Sequence, residues 1–405
     1  MSTAQDVSPC LPQAATRAAL VPRFRRQGYD AESTAARREW IEKTTGARLA
    51  HIGSYSIPSE QMRGNIENPI GTVQVPVGIA GPLLLHGTYA KGLFYVPLAT
   101  TEGALVRSYE RGMVTLTRAG GVSVRVCVDE NRVAPVFLFA DVATAYDFAV
   151  HLDERFPSIK DEAESTTNHG KLLRLECHAV GREVMVNFCY ATGDAHGMNM
   201  IVKATEQACQ WILRHTQAQD FYLFSGLASE KHASGFLFPG GKGKKVIAGA
   251  VLSAALLKSY LHTSPAELID FWHHTVLGHL QAQALGYNGH YANGLAALFI
   301  ACGQDVANVA NSAIGITNFE LINEDELYAS VTLPSLTLAT VGGGTALGTS
   351  RECLDILGVA GNGGAPKLAE IAAATLLAGE ISMGAALASG EFAQAHDMYG
   401  RNRPG

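Results

Sequence analysis

The chain has 405 residues, 47% of them hydrophobic and 17% charged, which suffices for a large core and argues against extensive disorder. A formal net charge of -6 and a pI near 6.2 argue against a nucleic-acid polyanion as partner. Seven scattered cysteines without a CxxC pair suit a reduced cytosolic protein rather than a disulfide framework or a zinc site.

Residues 1–29 read as a loose arm with a basic cluster, Arg23, Arg25 and Arg26, and with no signal-peptide pattern. Asp30–Thr45 is expected to be a helix, capped by Asp30 or Ser33 and ended by Gly46. Glycines and prolines bar a helix from Ile66–Leu85, whose β-branched residues suggest strands at a tight corner. Leu93–Leu98 is strand-like and leads into Ala99-Thr-Thr-Glu102-Gly103-Ala-Leu105, after which a helix runs to about Thr117. Val122–Val128 alternates like a strand.

From Ala134 the texture becomes a compact α+β block ending near Leu223. Its strands are Val133–Phe139, Lys171–Val180 and Glu183–Tyr190, and its helices Val142–Phe156 and Met200–Thr216. Ser225–Lys245 follows as a loop rich in glycine and lysine. Ala248–Tyr260, Pro265–Leu285 and Asn288–Cys302 read as helices and Tyr328–Leu338 as a strand. No run reaches the roughly 18 uncharged apolar residues of a membrane span. The nearest, Ile371–Ala388, carries Glu380 with Gly379 and Gly384 and reads as a buried, closely packed helix.

Four side chains attract attention. Glu102 lies at a strand-to-helix corner, where a sheet presents its chemistry; taken alone, it is a first-turn carboxylate favoured by the helix dipole. Lys231, in Ser229-Glu-Lys-His-Ala233, sits in a segment too glycine-rich for solvated helix surface. Asp305 closes an apolar helix, where an acid opposes the dipole and calls for a cationic partner. His396 stands on a polar tail, and a lone tail histidine is usually solvated. Together they would suit carbonyl reduction. The lysine stabilises an alkoxide, a carboxyl group supplies a proton, and the histidine protonates a leaving thiolate. Physical chemistry alone does not assemble the four.

Two loops read as anion cradles. Gly193-Asp194-Ala-His196-Gly197-Met198-Asn199-Met200 opens a helix, and Val341-Gly342-Gly343-Gly-Thr345 follows a strand. Neither is a GxGxxG fingerprint, and each alone is a tight turn with a helix cap. The two together strengthen the case for a nucleotide-bearing ligand.

Several motifs resemble the 3-hydroxy-3-methylglutaryl-CoA reductase family and occur in that family's order over residues 35–403. They are Glu67-Asn-Pro-Ile-Gly, Pro76-Val-Gly-Ile-Ala-Gly-Pro-Leu83, Tyr95-Val-Pro-Leu-Ala-Thr-Thr-Glu-Gly-Ala-Leu-Val106, Gly193–Met200, Gly286-Tyr-Asn-Gly-His-Tyr-Ala-Asn293, Ala301-Cys-Gly-Gln-Asp305 and Val341–Thr345. The texture is closer to the branch shared by eukaryotes, archaea and some bacteria, without the eukaryotic membrane anchor.

The resemblance implies an α+β fold. An N-terminal arm and helix (1–50) would precede a large acyl-CoA-binding domain (51–133 and 224–405), with a small nicotinamide-binding domain (134–223) inserted into it. It implies a cytoplasmic homodimer or higher oligomer with active sites at the subunit interface, an acyl-CoA thioester substrate, NADPH (or NADH) as cofactor, and no metal, nucleic acid or membrane. By the same resemblance Glu102 is the proton donor, Lys231 the oxyanion cation, Asp305 the group that tunes both, and His396 the acid for the departing thiolate. Asp194, His196, Gly197, Met198, Asn199, Thr167, Asn168, Val341, Gly342 and Gly343 would meet the cofactor. Arg132, Ser225, His232, His274 and Asn293 would meet the substrate.

Departures from the family pattern bear on the substrate. The family's Asp-Lys-Lys-Pro is Glu230-Lys231-His232-Ala233 here, and a lysine that contacts the substrate carboxylate falls at His274 or His273. A histidine loses its charge above about pH 6.5 and grips a carboxylate less well. The family's usual substrate ranks first, and a less acidic acyl thioester, on CoA or on a carrier protein, second. His196 replaces a methionine, and near the cofactor's 2′-phosphate Thr167, Asn168 and His169 leave Lys171 as the fixed positive charge. A non-catalytic sensor of the same fold would not need all four reaction residues, and a dehydrogenase of free aldehydes would not need His396.

Overall fold

The computed structural model describes residues 20–24 and 28–393. Arg25, Arg26 and His396 lie outside the described residues. The chain divides into two compact units, Met1–Gln74 and Val75–Gly405.

In the first unit, α1 (Ala31–Thr45) starts where the Asp30 carboxylate accepts from the Ser33 backbone at 2.7 Å, and it ends at Gly46 with φ of 77°. Arg37, on the helix itself, is buried and donates to the carbonyls of Gly28 at 2.7 Å and Pro69 at 3.3 Å.

The second unit runs β1 (Val77–His86), β2 (Lys91–Ala99), α2 (Leu105–Arg118), β3 (Val122–Val133), β4 (Val136–Leu138), α3 (Val142–His151), α4 (Phe156–Glu164), β5 (Lys171–Val180), β6 (Glu183–Ala191), α5 (Met198–His215) and β7 (Asp220–Tyr222). There follow the short α6 (Leu237–Gly240), β8 (Gly243–Ser253), α7 (Ala254–Leu261), α8 (Pro265–Gln281), α9 (Tyr291–Ala301), the short α10 (Val309–Ser312), β9 (Ile316–Asn323), β10 (Glu326–Leu336), α11 (Gly348–Ile356) and α12 (Ala365–Ala388). The main strand order is β7-β4-β6-β3-β8-β10-β9, with β5 on β6 and the β1–β2 hairpin on β3.

β3 is the hinge of this topology. Ser123–Glu130 pairs antiparallel with β8, and Asn131–Val133 pairs with β6. Two apolar cores result. One gathers α2, α9, α12, β8 and β10. The other is drawn from Val133–Ala218, with Phe137, Phe188, Tyr190 and Ile201 at its centre.

The stretch Ala248–Ser253, expected as helix, is instead the second half of β8. β8 pairs with β3 and β10, and its more exposed positions Ile247 and Val251 are themselves apolar, so the continuous apolar run shows no alternation to set it apart from a buried helix. The expected helix Val142–Phe156 breaks at Leu152 into a 3₁₀ turn, and Pro157 then sits in the first turn of α4.

α12 is apolar on every face and long enough to cross a bilayer, yet 83% of its apolar window is buried inside the protein. It packs so closely on α2 that a Cβ at Gly112 would stand 1.9 Å from the Ala378 carbonyl oxygen. Gly112→Ala is therefore expected to force the helices apart. The cost, about 1–3 kcal/mol or more, outweighs the roughly 1 kcal/mol of helix propensity gained. A urea midpoint equal to wild type would contradict that packing.

Candidate active site

β2 delivers the chain into the Glu102 corner. Thr100 Oγ1 accepts from the Glu102 backbone N–H at 3.0 Å, and Ala104 takes φ of 70° at the N-cap of α2. Left-handed backbone costs a non-glycine residue about 1–2 kcal/mol, so packing must hold the corner. Glu102 precedes the helix and is not a first-turn carboxylate. Its partner is Asn293 on the first turn of α9, whose side-chain amide donates to both carboxylate oxygens at 3.0 and 2.9 Å. The pair borders a cavity of about 520 Å³ whose walls include Tyr109, Arg111, His290 and Met383.

The Lys231 loop is also held in left-handed backbone, with φ of 53° at Ser229 and 58° at Lys231. Lys231 Nζ stands 2.7 Å from Asp305 Oδ2. Asp305 does not end a helix against its dipole. It is the N-cap of the turn Val306–Asn308 and accepts from the Ala307 N–H at 3.1 Å. The Asp305 hydrogen bond raises the Lys231 pKa. Partial burial works against the Asp305 carboxylate, but Lys231 holds its pKa below the usual range.

A second ionic group lies beside this pair and went unread in the sequence. Glu230 Oε2 meets the buried Lys242 Nζ at 2.9 Å, and Glu230 Oε1 is 3.6 Å from His196 Nε2. Lys242 also donates to the Arg132 carbonyl at 2.8 Å. Burial pulls both His196 and Lys242 down in pKa, with Glu230 opposing. Lys242 looked like one of several lysines in a glycine-rich loop, and only the fold buries it.

The two glycine-rich loops come together. Ala195 and Val341 form a parallel bridge, and the Thr340 N–H donates to the Asp194 carbonyl at 2.9 Å. The Asp194 carboxylate accepts from Gly363 and Ala365 N–H groups at 2.7 and 3.0 Å, at the start of α12. Asp194 therefore ties the loop to the start of α12. Gly197, φ 72°, is the N-cap of α5, followed by Met198 and the exposed Asn199. Thr167 and Asn168 form a turn in which Thr167 Oγ1 accepts from the His169 and Gly170 N–H groups, and Gly170 packs beside Met200. Gly342 and Gly343 have φ of 84° and 56°.

The residues assigned to the substrate are scattered. Arg132 is buried with its guanidinium 3.4 Å from Glu176 Oε2. Ser225 donates to the Ala134 carbonyl at 2.8 Å. His232 is exposed and turned back on the Glu230 carbonyl. His274 is exposed on α8, 3.5 Å from Asp270. Asn293 alone of these meets a candidate reaction residue in a direct hydrogen bond, and His396 lies outside the described residues. Among the described residues, no cluster of His, Cys, Asp and Glu could hold a metal ion.

The two candidate pairs sit at opposite ends of α9. Asn293 with Glu102 is in its first turn, and Asp305 with Lys231 lies beyond its last residue, Ala301. At 1.5 Å per residue that is roughly 12 Å of helix, and neither Lys231 nor Asp305 lines the cavity beside Glu102.

Comparison with known proteins places this architecture. The family model described as hydroxymethylglutaryl-coenzyme A reductase matches residues 33–401. The chain is 43% identical to the 3-hydroxy-3-methylglutaryl-coenzyme A reductase of Methanothermobacter thermautotrophicus, over 91% of this chain and 94% of that protein. It is 34% identical to reductase 1 of Arabidopsis thaliana, over 93% of this chain and 65% of that protein. The class II reductase of Streptococcus pneumoniae, solved bound to NADPH, has a similar fold. Its TM-score is 0.66 at 18% identity, covering 89% of this chain and 98% of that one.

Proposed function

The chain belongs to the hydroxymethylglutaryl-coenzyme A reductase family, and from that premise we propose that it reduces 3-hydroxy-3-methylglutaryl-CoA to mevalonate in two hydride steps. The reduction takes four electrons, and a nicotinamide cofactor supplies each hydride. Lys231, kept cationic by Asp305, stabilises the oxyanion as the thioester carbonyl becomes a thiohemiacetal. Glu102 delivers protons at the same oxygen, and His396 is assigned to the departing CoA thiolate. Collapse to the aldehyde releases CoA, and a second reduction gives the alcohol.

The smaller core and the joined loops Asp194–Asn199 and Val341–Gly343 would hold the cofactor, with the open N-terminus of α5 beside its phosphates. NADPH is the proposed cofactor and NADH the alternative. Lys171 is the cation near Thr167 and Asn168, and it already pairs with Glu164 at 2.9 Å.

The observation that carries the reading is the division of the reaction groups between the two ends of α9. In the proposed homodimer the Glu102 end of one copy would meet the Lys231 end of the other, with the active site at the subunit interface. A cytoplasmic location belongs to the same proposal. The test is to incubate purified protein with 3-hydroxy-3-methylglutaryl-CoA and either NADPH or NADH. Mevalonate is expected. Its absence with both cofactors would overturn the substrate assignment and turn attention to His232 and His274 as acyl-group selectors.

A further inference from the structure

Two glutamate side chains, Glu370 and Glu380, are buried in the apolar α12, and burying such a polar group is costly unless hydrogen bonds replace its water. Glu370 finds its bonds in the β1–β2 turn, accepting from the backbone N–H groups of Thr88, Tyr89 and Ala90 at 2.9, 2.8 and 2.6 Å. That is a fastening and no more. Glu380 is bonded differently. It accepts from the Gly289 N–H at 2.7 Å, the His290 N–H at 2.9 Å, His290 Nδ1 at 2.8 Å and Thr317 Oγ1 at 2.7 Å. Four donors fill the acceptor sites of a carboxylate. Burial alone would raise its pKa, but the His290 bond holds it below the usual range.

What Glu380 grips leads to the cavity. His290 lines that cavity, its ring centroid 5.3 Å from that of Tyr109. With Nδ1 committed to Glu380, Nε2 is the ring's remaining polar atom. His290 is the N-cap of α9, and its carbonyl accepts from the Asn293 N–H at 3.1 Å. Asn293 then donates to both oxygens of Glu102. Gly294 and Gly379 leave the space Tyr109 occupies, since a Cβ at either would stand 2.2 or 2.6 Å from it. The titratable groups facing Glu380 are His290 from the loop, Tyr109 from α2, and Tyr291 from α9, whose hydroxyl is 3.1 Å from Thr317 Oγ1.

We propose that Glu380 is a positioning residue: by fixing the backbone and imidazole of Gly289-His290 it sets the start of α9, and through Asn293 it aims the Glu102 carboxyl. The proposal rests on the reading of Glu102 as the proton donor.

Glu370 provides the control within the same helix. In the full-length protein, Glu370→Gln is expected to lower Tm while kcat and its pH profile stay within about twofold of wild type. Glu380→Gln is expected to lower kcat by about tenfold or more, with a smaller change in KM, and to displace the pH profile of kcat. Equal losses of Tm in the two variants, with kcat and pH profile unmoved in both, would overturn the proposal. If Glu380→Gln does not fold, His290→Gln and His290→Leu decide. The glutamine can still donate to Glu380 and should retain at least about tenfold more kcat than the leucine, whereas equal rates would overturn the positioning role. If Glu102→Gln is itself fully active, the reading of Glu102 fails, separately from any effect at Glu380.

Discussion

Lys231→Met should lower kcat by about 10²–10³-fold while cofactor binding is retained, because it removes the cation proposed to meet the developing oxyanion. Asp305→Asn should fall in the same direction by less, since the lysine keeps its charge and loses its anchor. The pH dependence has a definite sign. The Lys231 pKa is raised, so the ammonium persists through neutrality and is lost only as pH climbs through that raised value. The Asp305 pKa is depressed, so its carboxylate forms the pair until pH falls through that lowered value. The pair should therefore contribute no limb to the rate profile between about pH 5 and 9. A limb in that window that moves in Asp305→Asn would contradict this electrostatic account. Lys231→Met retaining more than about a tenth of the wild-type kcat would contradict the role of the lysine.

Glu102→Gln is the second large effect, expected at about 10²–10⁴-fold in kcat, the range for loss of a positioned general acid. The glutamine preserves the size and can still accept from Asn293, so folding and cavity shape should be kept. Both half-reactions need a proton at the substrate oxygen. The loss should therefore appear with the free aldehyde as well as with the thioester. Full activity on the aldehyde alone would restrict Glu102 to the first step.

Local patterns were legible and distant pairings were not. The Asp30 cap and Gly46 stop, the strand Lys171–Val180 and the buried helix around Glu380 could all be read from residues close in sequence. β8 could not, because Ile247 and Val251 on its more exposed face are apolar too, and a continuous apolar run reads equally as strand or buried helix. Asp305 was read as an acid straining against a helix end, whereas the chain starts a new turn there and the acid caps it. Asp194 was expected to meet the cofactor, and nothing local in the sequence told that its carboxylate also braces the N–H groups of Gly363 and Ala365 at the start of α12.

Within the site, the motifs singled out Glu102, Lys231 and Asp305 as functional candidates, but nothing local tells which end of α9 each one meets. The bond between Glu380 and His290 spans ninety positions, and that between Lys242 and Glu230 depends on burial of a lysine that a loop pattern makes look solvated. One clue was present: an acid in the middle of an alanine-rich helix must find donors somewhere, and a histidine that follows Asn288-Gly289 is a natural source.

The division of the machinery at α9 is tested most directly by mixing two dead variants. Glu102→Gln and Lys231→Met are each expected to be nearly inactive on their own. Co-expressed or refolded together, mixed dimers carry one site with both substitutions and one with neither. Activity should return to roughly a quarter of wild type at equal mixing, by the statistics of a two-fold assembly. No recovery in a preparation shown to contain mixed dimers would mean that each chain completes its own site, contradicting the shared interface.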